Sequence, residues 1–146
     1  MREGIVIYPR FLDPTLSHAT ATYLHRYISE DHSCVFNPDN KRIQKRIPPD
    51  DDIYNYVEER LVEMGLLRGR ILSELNVLHS KAGCRAQPLH CDYDPASIAN
   101  LRIKPLGVLI ALEDNTRLNI CTRHLEVCAG DAIVFAGDVV HGGASY

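Results

Sequence analysis

The chain has no apolar stretch long enough to cross a bilayer. Its longest such run, Leu106 to Leu112, is far too short, and the opening Met1-Arg2-Glu3-Gly4 lacks the apolar core of a signal peptide. A soluble intracellular protein, cytoplasmic or nuclear and with no membrane partner, is the expectation. An excess of charge is missing too: 16 basic and 19 acidic residues leave a formal charge of -3 and a pI near 6.1. That balance argues against coating nucleic acid through bulk electrostatics. There is no C-x-x-C pair, and the five cysteines (Cys34, Cys84, Cys91, Cys121 and Cys128) are odd in number. They read as reduced thiols, neither a disulfide framework nor a zinc ribbon. Only Cys121 and Cys128 are spaced so that they could face each other across a hairpin. Internal repeats and low-complexity tracts are absent as well.

What is present fits one globular unit. The 146 residues are 45% apolar and 24% charged, ordinary values for a soluble fold large enough to bury a core unaided. The β-branched run Gly4 to Tyr8 predicts a strand stopped by Pro9. Asp13-Pro14-Thr15 reads as a helix start, and Leu16, Ala19, Tyr23, Tyr27 and Ile28 recur at helical spacing over 15–29. From Glu30 to Asp52 the pattern dissolves. Asn37-Pro38-Asp39-Asn40, the basic cluster Lys41 to Arg46 and Pro48-Pro49-Asp50-Asp51-Asp52 read as a surface excursion. A second helix follows over 53–65, with Ile53, Tyr56, Val57, Leu61 and Met64 on one face.

Beyond Gly69 the period shortens. Ile71, Leu75, Val77 and His79 suggest one strand and Gln87 to Tyr93 another. Leu106–Leu112, Arg117–Thr122, Leu125–Cys128, Ala132–Phe135 and Val139 onward suggest more, separated by good turn formers. Helices followed by many short strands indicate an α+β fold whose second half is a small barrel or jelly roll with the helices packed on one side. The expected organisation is a single domain over 1–146: a helical support region (1–70) and a jelly-roll core (71–146).

The chemistry concentrates in His90-Cys91-Asp92. On a strand, residues i and i+2 share a face, so His90 and Asp92 aim together while Cys91 points away. A third ligand from a distant strand would complete a two-His, one-carboxylate face with open positions, the arrangement of non-haem Fe(II) oxygenases. His141, flanked by Gly142 and Gly143 and preceded by the turn at Gly137-Asp138, is the candidate. Glycine beside a ligand lets backbone and substrate approach closely. Zinc accepts the same donors, and the bland reading is a surface ion pair of His90 with Asp92. His18, His25, His32, His79 and His124 show no ligand-like company in the sequence. The Lys41–Arg46 cluster reads as a solvated loop, with contact to phosphate or an acidic peptide as the alternative.

The run Gln87-Pro88-Leu89-His90-Cys91-Asp92-Tyr93, followed by Gly130-Asp131, Phe135, Gly137-Asp138 and His141-Gly142-Gly143, resembles the 2-oxoglutarate/Fe(II)-dependent dioxygenase superfamily. The resemblance covers roughly residues 71–146, the double-stranded β-helix core. It implies Fe(II) on His90, Asp92 and His141, 2-oxoglutarate as co-substrate, O2 as oxidant and ascorbate as reductant. The implied reaction is oxidative decarboxylation to succinate and CO2, coupled to hydroxylation of a substrate or demethylation of an N-methyl group. Family members usually carry an Arg or Lys about ten residues past the distal His, because a cationic donor group suits the distal carboxylate of the co-substrate. Here the sequence stops at Tyr146, five residues past His141, so a cut final strand is expected. Lys104 and Asn76 are the alternative co-substrate contacts. A peptide or protein substrate is expected before nucleic acid, on the charge balance. Two rivals stand beside this reading. One is a degenerate or cupin-like jelly roll that binds a metal or small molecule without oxidising anything. The other is an interaction module docking through the helices at 15–29 and 53–65.

Overall fold

The computed structural model describes residues 4–30, 33–34 and 40–146. Strand β1 (Ile5–Tyr8) leads into helix α1 (Pro14–Glu30), and β2 (Ser33–Cys34) and β3 (Arg42–Ile47) precede helix α2 (Asp52–Glu63). Then come β4 (Leu75–Ser80), the single turn α3 (Pro95–Ile98), and strands β5 (Leu106–Ile110), β6 (Thr116–Ile120), β7 (Arg123–Val127), β8 (Ala132–Ala136) and β9 (His141–Gly143). These strands form three antiparallel sheets, ordered β1-β8-β5, β2-β3-β4 and β7-β6-β9.

Strand β8 shows why the elements stack as they do. Its Ala-Ile-Val-Phe-Ala sequence is apolar throughout because both of its faces are covered. Ile133 and Phe135 meet Leu118 and Ile120 of β6 and Val127 of β7, joining two sheets through one core. On the opposite face Ala132 meets Phe11, Leu12, and Val57 and Leu61 of α2. A third cluster joins Leu24 and Ile28 of α1 to Ile43 and Ile47 of β3, Tyr54 of α2 and Val77 of β4.

Both long helices start on an aspartate. Asp13 Oδ1 accepts from the Thr15 and Leu16 amides with Pro14 in the first turn, and Asp51 Oδ1 accepts from the Ile53 amide at 2.8 Å. The buried stripe of α1 is Ser17, Ala21, Leu24 and Ile28, rotated from the expected one; Leu16 and Tyr23 face solvent.

The largest departure lies in the expected surface excursion. Its basic cluster is strand β3, so residues 1–70 hold β2 and β3 besides the two helices and the expected strand β1. Ile43 and Ile47 are buried, and Lys45 crosses the Tyr27 ring at 3.9 Å while donating to the Tyr27 carbonyl. The alternate residues Arg42, Gln44 and Arg46 stand opposite Ser80, Leu78 and Asn76 of β4. Arg42 is buried, and its guanidinium donates to Ser80 Oγ and to the Arg85 and Ala144 carbonyls. This face of β3 and β4 is therefore turned toward the end of β9. The expected strand over 87–93 is reduced to one bridge, His90 with His141. Pro88 has no N–H to give to a ladder, which accounts for the break. Cys121 and Cys128 lie at opposite ends of the β6–β7 ladder, since Cys121 adjoins the Ile120–Arg123 pair and Cys128 follows Val127, which pairs with Thr116.

Candidate metal centre

The single bridge at His90 is enough to build the site. His90 and His141 exchange both backbone hydrogen bonds at 2.8 Å, so the two side chains leave adjacent backbones on one side, with ring centroids 4.7 Å apart. Gln87 adds to the alignment: its amide donates to the Gly143 carbonyl and its side-chain Oε1 accepts from the Gly143 amide, each at 2.8 Å. Asp92 follows in a bend and brings Oδ1 to 3.5 Å from His141 Nε2. One donor atom from each of His90, Asp92 and His141 lies within 4.8 Å of the other two. Among the described residues no other group of three histidine, cysteine or acidic side chains converges in this way.

The chemistry of the donor set suits a metal ion. His90 Nδ1 lies 2.9 Å from the Pro88 carbonyl and His141 Nδ1 lies 3.0 Å from the Val139 carbonyl. A carbonyl only accepts, so in the neutral rings each Nδ1 carries the proton and each Nε2 holds a lone pair. Tying the outer nitrogen to a backbone carbonyl is how proteins orient a metal-binding imidazole. His141 is buried, His90 is half-buried and Asp92 is exposed, so the group opens to solvent on the carboxylate side.

The surroundings hold these three in place. Phe135 of β8 lies against the His141 ring with centroids 4.5 Å apart. Gly107 of β5 lets the Phe135 ring and Asp92 crowd its backbone: a Cβ there would overlap Phe135 and stand 3.1 Å from Asp92 Oδ2. Phe135 stands in the sequence motif, without a role assigned there, and Gly107 does not. A lone glycine inside the apolar run Leu106–Ile110 was the available signal, since such glycines mark close approach. The Cys91 thiol lies 3.4 Å from the Asp138 carbonyl.

The other sequence candidates are placed differently. Lys104 Nζ donates to Asp138 Oδ2 at 2.7 Å. That contact holds the Asp138 carboxyl below its ordinary range. Asn76 stands on β4 opposite Arg46, on the face turned toward β9, and its amide donates to Glu74 at 3.2 Å. Asp131 serves its turn, accepting from the Arg10 and Cys128 amides. Two histidines have company the sequence did not reveal: His25 lies 3.0 Å from Glu113, and the His79 ring meets His25 edge-on at 4.7 Å. His124 bonds to Asn119, and His32 lies outside the described residues. An apolar cavity of about 490 Å³ lies between α2, β4, β5 and the loop that carries Leu101 and Ile103, and Tyr93 lines it beside Asp92. No described helix is long and apolar enough to cross a membrane.

No protein-family model and no curated protein matches the sequence. Solved structures match the fold. A Pseudomonas putida prolyl-4-hydroxylase superposes with a TM-score of 0.66 at 19% identity, over 98% of this chain and 85% of that one. A Trichoplax adhaerens prolyl hydroxylase, in complex with a hypoxia inducible factor oxygen degradation domain peptide fragment, gives 0.70 at 15% identity, over 98% and 78%. The viral collagen prolyl hydroxylase of Paramecium Bursaria Chlorella virus-1, in its 2OG complex, gives 0.68 at 11% identity, over 97% and 88%. At such identities the likeness is one of fold: the chain has the fold of prolyl hydroxylases, in keeping with its resemblance to the 2-oxoglutarate/Fe(II)-dependent dioxygenase superfamily.

Proposed function

We propose that this chain is an Fe(II)- and 2-oxoglutarate-dependent hydroxylase acting on a peptide or protein, with His90, Asp92 and His141 as the metal ligands. The observation that carries the proposal is the convergence of two imidazoles, each with Nδ1 bound to a carbonyl, on one carboxylate within 4.8 Å. On this reading the antiparallel sheets are the jelly-roll core of a single domain, and the N-terminal helices buttress it. Bound Fe(II) would supply the means to activate O2 with 2-oxoglutarate as the electron source, releasing succinate and CO2 and hydroxylating a C–H bond.

The protein's own share is positional. The Pro88 and Val139 carbonyls keep the imidazole protons on Nδ1, leaving Nε2 for the metal. The His90–His141 bridge holds the two rings at a constant spacing, and Phe135 covers one side of the His141 ring against water. Asp92 lies at the solvent side, where substrate would enter. The preference for a peptide rests on the fold shared with a hydroxylase held in complex with a peptide fragment.

One observation favours a second reading. Lys104, the basic side chain available for the co-substrate carboxylate, is engaged by Asp138, which suits a domain that binds metal without oxidising a substrate. The two readings separate on succinate formation from 2-oxoglutarate with Fe(II) and ascorbate, in the wild type and in His141→Ala, with and without proline-containing peptides. Turnover lost in His141→Ala supports the hydroxylase. Fe(II) binding without succinate in the wild type supports the binding domain.

A further inference from the structure

Three segments cross beside the metal group: residues 91–93, residues 104–105, and the turn from β8 to β9 at 136–140. The Tyr93 amide donates to the Gly137 carbonyl at 3.0 Å, and the Gly137 amide donates to the Pro105 carbonyl at 2.9 Å. A Cβ at Gly137 would stand 2.6 Å from the Tyr93 ring and 3.2 Å from Pro105, so the crossing is tight on both sides. Asp138 sits at its centre. Its carbonyl lies 3.4 Å from the Cys91 thiol, between two of the ligands, and its carboxylate lies 2.7 Å from Lys104 Nζ. The next residue, Val139, supplies the carbonyl that orients His141 through Nδ1.

We propose that the Lys104–Asp138 ion pair is a latch that positions the third ligand, holding the β8–β9 turn so that the Val139 carbonyl keeps His141 Nε2 on Asp92 and His90. This deepens the metal-centre reading and rests on it. Lys104 and Asp138 are not members of the converging ligand group. They are positioning residues that act through Val139 and His141, and Lys104 is then not the anchor of the co-substrate carboxylate. The pair is only partly exposed, with side chains 39% and 22% accessible, so water competes for it less than at an open surface. Breaking it removes this ion pair from the turn and leaves the backbone bonds and the Cys91 and His141 contacts to hold it, so the loss appears in metal affinity before it appears in folding.

The test is a Co(II) titration of the apoprotein, reading both the dissociation constant and the visible d–d spectrum. The proteins are wild type, Lys104→Met, Lys104→Arg, Asp138→Asn, the Lys104→Met/Asp138→Asn pair, and His141→Ala. Lys104→Met and Asp138→Asn should each weaken Co(II) by about 10-fold, the lower range for losing a partner behind a metal ligand. The double variant should be no weaker than either single one, and Lys104→Arg should restore affinity and spectrum. If both singles keep the wild-type affinity and spectrum while His141→Ala loses Co(II), the latch is overturned and the metal centre stands. A fall in thermal stability with unchanged Co(II) affinity overturns it too, because the pair is then only structural. A wild type that binds no Co(II) removes the metal centre itself, and the latch with it.

Discussion

Gly107→Ala perturbs the centre without removing any group that touches it. The added Cβ would overlap Cε2 of Phe135, stand 2.6 Å from its Cζ and lie 3.1 Å from Asp92 Oδ2. Carbon atoms rest at about 3.5–4.0 Å, so the ring must retreat by about 1 Å. Phe135 is only 3% exposed and sits in the core cluster with Leu118, Ile120 and Val127. One of its neighbours is the His141 ring, 4.5 Å away, so part of the displacement passes to a ligand. Overpacking of this kind costs about 1–3 kcal/mol, which for a chain of this length lowers Tm by about 2–12 °C.

The loss should be larger at the metal than in the fold. Disturbing the support behind a ligand costs about 10–100-fold in metal affinity. Differential scanning calorimetry gives the first quantity and Co(II) titration the second. Phe135→Leu in the Gly107→Ala background clears the space the methyl needs and should recover part of the Tm. It should not recover full Co(II) affinity, because the ring against His141 is gone. Gly107→Ala melting within about 1 °C of wild type and binding Co(II) equally well would refute this chain of contacts.

Arg42→Met retains the apolar stem and removes the donors to Ser80 Oγ and the Arg85 and Ala144 carbonyls. Leaving such buried acceptors unpaired costs about 1–3 kcal/mol, and urea unfolding within about 0.5 kcal/mol of wild type would contradict it. Burial holds the His79 imidazole below the usual histidine range, with His25 and Lys81 acting in the same sense and Glu113 against it. With its folded value depressed, this group's contribution is whole above the ordinary value of 6.5 and is lost as pH falls through the folded value. Between about pH 7.5 and about pH 5.5 the wild type should therefore lose more urea stability than His79→Gln, and parallel losses would count against the assignment.

The spacing of His90 and Asp92, and a glycine-flanked histidine after a buried strand, singled out from the sequence three residues whose donor atoms the fold brings within 4.8 Å of one another. Such a motif is local, and a ligand pair needs only neighbouring residues on one backbone. Strands β5, β6 and β8 were legible for a similar reason, since short apolar or alternating runs bounded by turn residues mark them within a few positions. Strand β3 was not. Its arginines and lysines read as solvated loop, and only folding shows Arg42 buried against carbonyls from residues 85 and 144 and Lys45 laid over Tyr27. The stripe of α1 was misjudged because Ser17, which bonds back to Asp13, is buried where Leu16 was expected. What tertiary structure alone decided is the support behind the ligands. Gly107 yielding space to Asp92 and Lys104 on Asp138 join residues far apart in the chain, and Phe135 meets His141 although β8 and β9 belong to different sheets, so these contacts exist only once the sheets have packed. Short-range pattern thus determined which residues could hold a metal, and long-range packing determined how firmly they are held.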